Sequence, residues 1–204
     1  MVLAAFALIL VSTAYATLQY YYSPYWNVRG IRRSQPVLFS HRHHAGELHL
    51  DCRYCHAEVE TSAFAGMPTT HTCLTCHSQL FTDTTMLRPV VESAVRDEPL
   101  RWTRVNNLPD HVYFNHSIHI AKGVGCTTCH GQVGDSPLMA KGEPLTMRWC
   151  LDCHRDPAKN LRPREHVFDA TWTPPADQAQ RGKALMAEYH VHTSVLTSCS
   201  TCHH

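Results

Sequence analysis

The chain has 204 residues, a formal net charge of +1, 44% apolar content and only 17% charged residues. That length supports one or two ordinary domains, and a near-neutral balance without a basic stripe excludes a nucleic-acid-binding surface. Ten of the apolar residues are cysteines and many others sit in one N-terminal run, so little is left to build a conventional core.

Residues 1–26, MVLAAFALILVSTAYATLQYYYSPYW, carry no charge, and the first charges are Arg29, Arg32 and Arg33. About 20 such residues span the hydrocarbon of a bilayer, and Tyr20, Tyr21, Tyr22, Tyr25 and Trp26 read as an interfacial belt. Ala14-Tyr15-Ala16 resembles a signal-peptide cleavage site, but no positively charged n-region precedes it, which favours a retained transmembrane helix over a removed leader. The arginines on its C-terminal side run against the positive-inside tendency.

From residue 27 onward the cysteines set the pattern. They form five pairs, each spaced by two residues and each followed at once by histidine: Cys52, Cys55 and His56; Cys73, Cys76 and His77; Cys126, Cys129 and His130; Cys150, Cys153 and His154; Cys199, Cys202 and His203. C-x-x-C-H attaches c-type haem, the two thiols adding to the porphyrin vinyl groups and the imidazole reaching the iron. Zinc ribbons and thioredoxin-like sites use C-x-x-C without the histidine, and a disulfide framework has no use for it. With histidine at 17 of 204 positions, five such coincidences would arise by chance about once in a few hundred thousand. The cofactor expectation is five covalently bound haem c, with His56, His77, His130, His154 and His203 as proximal ligands.

In chain order, residues 37–78 form a first di-haem module opening on Phe39-x-His41-x-x-His44, and 112–156 a second opening on Phe114-x-His116-x-x-His119. The linker 79–111 holds a helical stripe, Leu87, Val90, Val91, Ala94 and Val95, with Pro89 in its first turn. An extended connector follows between Pro99 and Pro109. Residues 157–204 begin as a Pro-rich loop, continue in a helix over about 177–190, and end in the fifth motif. The expected fold is a multihaem cytochrome c of class III or c7-like type: short helices and irregular loops wrapped around a haem stack.

The repeat accounts for the surplus histidines. A low-spin electron-transfer haem needs a second strong ligand opposite the proximal one. Two imidazoles three apart on one helical face cannot clamp a single iron, so His41, His44, His116 and His119 are expected to serve four different haems. The fifth distal ligand is open among Met147, Met139, His190, His192 and His204. A methionine would raise the potential of that haem, and Met147 is included with the metal-binding residues. His43, His49, His71, His111 and His166 read as solvated or locally bonded.

The ordered text FSHRHHAGELHLDCRYCH, MPTTHTCLTCHSQL, NNLPDHVYFNHSIHIAKGVGCTTCHG, PLTMRWCLDCHRDP and CSTCHH behind an anchor resembles the pentahaem cytochrome c subunit of alternative complex III, over nearly the whole chain. The resemblance implies an electron-transfer subunit, not itself an enzyme, of a quinol:acceptor oxidoreductase. Its partners would be integral-membrane quinol-site subunits, an iron-sulfur subunit related to molybdopterin oxidoreductases and a mono-haem cytochrome c. Downstream acceptors would be a cytochrome c, a blue copper protein or a terminal oxidase. It would sit in the cytoplasmic membrane with the haem domain on the periplasmic or extracytoplasmic face. Two alternatives stand beside it: a stand-alone membrane-anchored multihaem quinol dehydrogenase, and a multihaem reductase with one open iron.

Overall fold

The structure, a computed structural model, describes residues 2–23 and 25–203. Helix α1, Val2–Tyr21, has no buried residue. It is long and apolar enough to cross a membrane, by length and composition. Its C-terminal aromatics form their own cluster, with the Tyr20 and Trp26 rings edge to face at 5.7 Å. The chain then lies along residues 140–143, through isolated bridges from Arg29 to Lys141 and Arg32 to Ala140. Arg29 Nε donates to the Gly142 carbonyl at 3.0 Å.

Beyond α1 the described residues are helical, with isolated bridges and no strand. A π-helix at Arg42–Glu47 is followed by α2 (Cys52–Cys55), α3 (Thr70–His77), α4 (Arg88–Arg96), α5 (His116–Ala121) and α6 (Cys126–His130). Then come α7 (Met147–Arg155), α8 (Gln178–Glu188), α9 (Thr193–Leu196) and α10 (Cys199–Cys202). Isolated helices this short are unstable in water, so capping and tertiary contacts must hold them. Asp51 caps α2 by accepting from Arg53 N, Asn115 caps α5 by accepting from Ser117 N, and Thr146 caps α7 by accepting from Trp149 N; such side-chain caps satisfy otherwise orphaned amides.

Helix α4 occupies the expected segment, but its buried face is Val90 and Ser93, while Val91 and Val95 are exposed. The Ser93 hydroxyl explains the difference: it bonds to Thr70 Oγ1 on α3 and donates to the Glu98 carbonyl, so a polar residue earns a place against α3.

The Pro-rich segment after the fourth motif is irregular, as expected, yet it supplies three of the eight buried hydrophobic residues among those described. Short 3-10 turns at Pro157–Asn160 and Arg164–His166 carry Ala158, Leu161 and Val167 into the interior, with Leu161 only 2% exposed. Leu161 packs with Leu185 and Tyr189 of the α8 region, and Val124, Met186 and Val191 close around them. Helix α8 lies so close to the first of these turns that a Cβ on Gly182 would run into the Ala158 carbonyl. Gly182→Ala should therefore force the two apart and cost about 1–3 kcal/mol, read as a lower thermal midpoint of the haem-loaded protein with its visible spectrum unchanged.

Candidate haem-binding site

None of the ten cysteines is joined in a disulfide, as thioether attachment of each pair requires. Burial pushes the Cys129 thiol up to about 12, and the adjacent Cys52 thiol together with burial pushes Cys126 up. Burial drives the His41 and His130 imidazoles down to about 4 and lowers His119 as well. These rings are neutral at pH 7, the form in which imidazole donates to iron.

The rings are paired across the chain. His116 faces His130 with centroids 6.4 Å apart and planes within 4°; His119 faces His154 at 6.3 Å and 23°; His44 faces His77 at 6.2 Å and 64°. An iron bound at about 2 Å to one nitrogen of each imidazole places the ring centres about 6 Å apart. The residues therefore fit the group: three of the expected imidazole pairs stand at the spacing an iron between them would require. His41 lies near His56, which adds to the effect of burial in lowering the His41 imidazole, and the Nδ1 of His41 is buried without a hydrogen-bond partner.

The second nitrogen of these rings is occupied. Nδ1 of His56, His77, His154 and His203 bonds to the main-chain carbonyls of Gly66, Leu80, Leu196 and His111 at 2.8–3.1 Å. Nδ1 of His44, His116 and His119 bonds to the carbonyls of Ser40, Ala63 and Asn115 at 2.7–2.9 Å. A carbonyl on Nδ1 fixes hydrogen there and leaves the Nε2 lone pair free for metal.

His130 differs, because its Nδ1 meets the Asn106 carboxamide at 2.9 Å. The rotamer that turns Oδ1 toward Nδ1–H completes that bond and also satisfies Oδ1, which is buried without a partner in the opposite rotamer. An acceptor on Nδ1–H makes the imidazole a stronger donor and favours ferric iron. Asn106→Leu should raise the potential of one haem and leave the others in place, as measured by spectroelectrochemical titration.

Phe39 and Phe114, the aromatic residues of the repeat, pack on its histidines. Each stacks on the second histidine of its motif, at 4.4 Å and 23° for His44 and 4.6 Å and 28° for His119. Each meets the first edge-on, at 86° for His41 and 90° for His116. The two modules thus repeat one three-ring arrangement, even though the first is built on a π-helix and the second on an α-helix.

Around the fifth motif, the ring of His111 lies 5.7 Å from that of His203. The His111 carbonyl accepts from His203 Nδ1 at 3.0 Å, so the main chain of His111 lies on the Nδ1 side of His203. Met147 is 64% exposed and opens α7 one turn before Cys150, whose thiol neighbours Cys202. Met139 is half-buried beside the Ala140 bridge. His190 is exposed with φ +52°, and His192 precedes α9. His204 lies outside the described residues.

Arg162 was not anticipated. Only 4% exposed, it donates to Thr127 Oγ1 at 2.8 Å and to the Thr128 hydroxyl and the His166 and Asp169 carbonyls at longer range. It thereby ties the third attachment helix to the irregular core. A second basic group, Arg29, Arg32 and Lys141, lines a hollow at His130, where haem propionates would find positive charge.

Comparison with known proteins agrees with this chemistry. Residues 118–204, which hold the last three motifs, match the cytochrome c3 family model. The chain is 31% identical over 136 residues to the multiheme cytochrome c subunit of menaquinone reductase from Nitratidesulfovibrio vulgaris. That alignment covers 66% of this chain, and the chain spans 58% of the relative's length. Cytochrome c3 domains hold covalently bound haem c, so residues 118–204 form a cytochrome c3-like segment with the multihaem attachment pattern, and the described residues are helical without a strand and include an N-terminal apolar helix.

Proposed function

We propose that this chain is a membrane-anchored pentahaem cytochrome, residues 1–26 forming the anchor and 27–204 the haem domain. It would carry electrons from the quinol-oxidising part of a complex of the alternative complex III type to an acceptor outside the cytoplasm. The ten cysteines would hold five haems. The axial pairs would be His56 with His41, His77 with His44, His130 with His116, and His154 with His119. Met147 would serve opposite His203, since its helix begins beside the fifth motif.

The observation that carries this reading is the spacing of the imidazole pairs. Rings at 6.2–6.4 Å would close both faces of an iron and leave no position for a substrate, which favours electron transfer over catalysis at the metal. The partners would be quinol-site membrane subunits, an iron-sulfur subunit and a mono-haem cytochrome c, with a cytochrome c, blue copper protein or oxidase downstream.

A second reading follows from the name of the relative, a menaquinone reductase subunit: electrons would run from the haems into the quinone. Anaerobic addition of quinol to membranes holding the intact complex separates the two. Quinol reduction of the c-type haems, followed by reoxidation by a soluble cytochrome, supports export. Reduction only by a soluble donor, with reoxidation by quinone, supports the reverse direction. Carbon monoxide binding to the untreated reduced protein would instead revive the open-iron enzyme.

A further inference from the structure

Sequence order gives no guide to how five attachment motifs are arranged in space, yet hydrogen bonds and ring pairs connect them in a defined series. The second motif touches the first. Tyr54 of the first attachment helix bonds through its hydroxyl to Thr75 in the second, at 2.5 Å, and the thiols of Cys55 and Cys73 are neighbours. The π-helix reinforces this contact, since His41 lies near His56 while His44 faces His77.

The first motif then touches the third, across 74 residues of sequence. Cys52 Sγ donates to the Phe168 carbonyl and the Cys126 amide donates to the adjacent Val167 carbonyl, so two attachment cysteines are seated on consecutive residues of one segment. Their thiols lie against each other. The loop that follows the first motif also receives the start of α5: the His116 and Ser117 amides donate to the Ala63 and Ser62 carbonyls.

The third motif joins the fourth through α5, whose His116 faces His130 and whose His119 faces His154. Cys129 lies near both Cys150 and Cys153. The fourth joins the fifth through His154 Nδ1–H, which donates to the Leu196 carbonyl three residues before Cys199, and through the Cys150–Cys202 neighbourhood. Among the described residues no hydrogen bond or ring pair connects the second motif to the third, while the fifth also meets the lead-in to α5, where the Tyr113 amide donates to the Cys202 carbonyl and His203 Nδ1–H to the His111 carbonyl.

We infer that the five haem-attachment motifs stand in the linear order second, first, third, fourth, fifth, and that the second and fifth are the terminal redox ports at which partner proteins dock. The inference rests on the proposal that all five motifs carry haem. An independent observation agrees on the ends: Cys76 of the second motif and Cys199 of the fifth are exposed, whereas the other eight attachment cysteines are half-buried. The internal motifs are enclosed by the segments that link them, and the terminal ones open to solvent.

The experiment is an iron map of the haem-loaded, full-length protein, from crystals measured on both sides of the iron absorption edge, each peak being assigned by its pair of thioethers. The expected result places the first iron between the second and third, and leaves the second and fifth with a single near neighbour each. Irons in sequence order, with the second next to the third, or a terminal iron other than the second or fifth, overturn the inference. Fewer than five thioether-linked irons overturns the five-haem reading on which it rests, while the quinol assay can fail with the iron order intact, so the failures are distinguishable.

Discussion

His116→Ala is expected to convert one low-spin haem into a high-spin centre that binds carbon monoxide, with the remaining haems unchanged. The His116 ring is nearly parallel to His130 at 6.4 Å, and its Nδ1 is locked on the Ala63 carbonyl at 2.7 Å. Alanine removes the imidazole from one face of that iron, and no other described side chain is paired with His130 across that gap. Loss of the bond to the Ala63 carbonyl also loosens the first module from α5, at a cost of about 1 kcal/mol. The measurement is the reduced-plus-carbon-monoxide difference spectrum, where binding to about one haem in five is expected. A variant that stays wholly low-spin would show that His116 is not an iron ligand.

The haem-free chain is expected to lack a cooperative thermal transition, while the haem-loaded protein unfolds sharply. The described residues bury large apolar side chains at only a few positions, chiefly Val37, Val59, Val90, Leu161, Val167, Leu185 and Tyr189. Burying such a side chain contributes about 1.5–3 kcal/mol, whereas ordering each backbone residue costs about 1–2 kcal/mol. After α1 the longest helix is α8, with 11 residues, below the length at which helices persist alone in water. The porphyrins must supply the missing apolar contact. Circular dichroism of protein made without haem attachment tests this, and a sharp two-state transition there would show that the polypeptide has a sufficient core of its own.

Much of the site was legible because haem chemistry demands particular residues at particular spacings. C-x-x-C-H marks the expected attachment points, and the repeated F-x-H-x-x-H picks out four histidines that the structure sets near His56, His77, His130 and His154. The helix at 88–96 followed from its apolar stripe and Pro89, and a helix expected over about 177–190 is found at 178–188. The partners of Nδ1 were illegible because main-chain carbonyls have no sequence signature, and Asn106 is one polar residue among many in a connector. The π-helix at Arg42–Glu47 was also hidden, since its wider turn follows from packing: a Cβ on Gly46 would strike the Gly134 carbonyl. Aperiodic sequence around Pro157 and Pro163 concealed the core contributed by Leu161 and Val167, because burial there is set by turns rather than by a repeating face.

The angles between facing imidazoles have a magnetic consequence. Were His116 and His130 the two axial ligands of one ferric haem, their planes, 4° apart, would direct their π-orbitals along one in-plane axis, split the two upper-filled d-orbitals strongly and give a rhombic g-tensor. Steeply inclined ligands, as His44 and His77 at 64° would be, would interact with both orbitals, leave them closer in energy and give a more axial tensor with a larger maximum g. The Phe39 stack on His44 and the carbonyl on its Nδ1 restrain that inclination. The second haem would thus carry its own spectral identity among the bis-imidazole centres, so that its oxidation state can be followed within the protein as electrons pass.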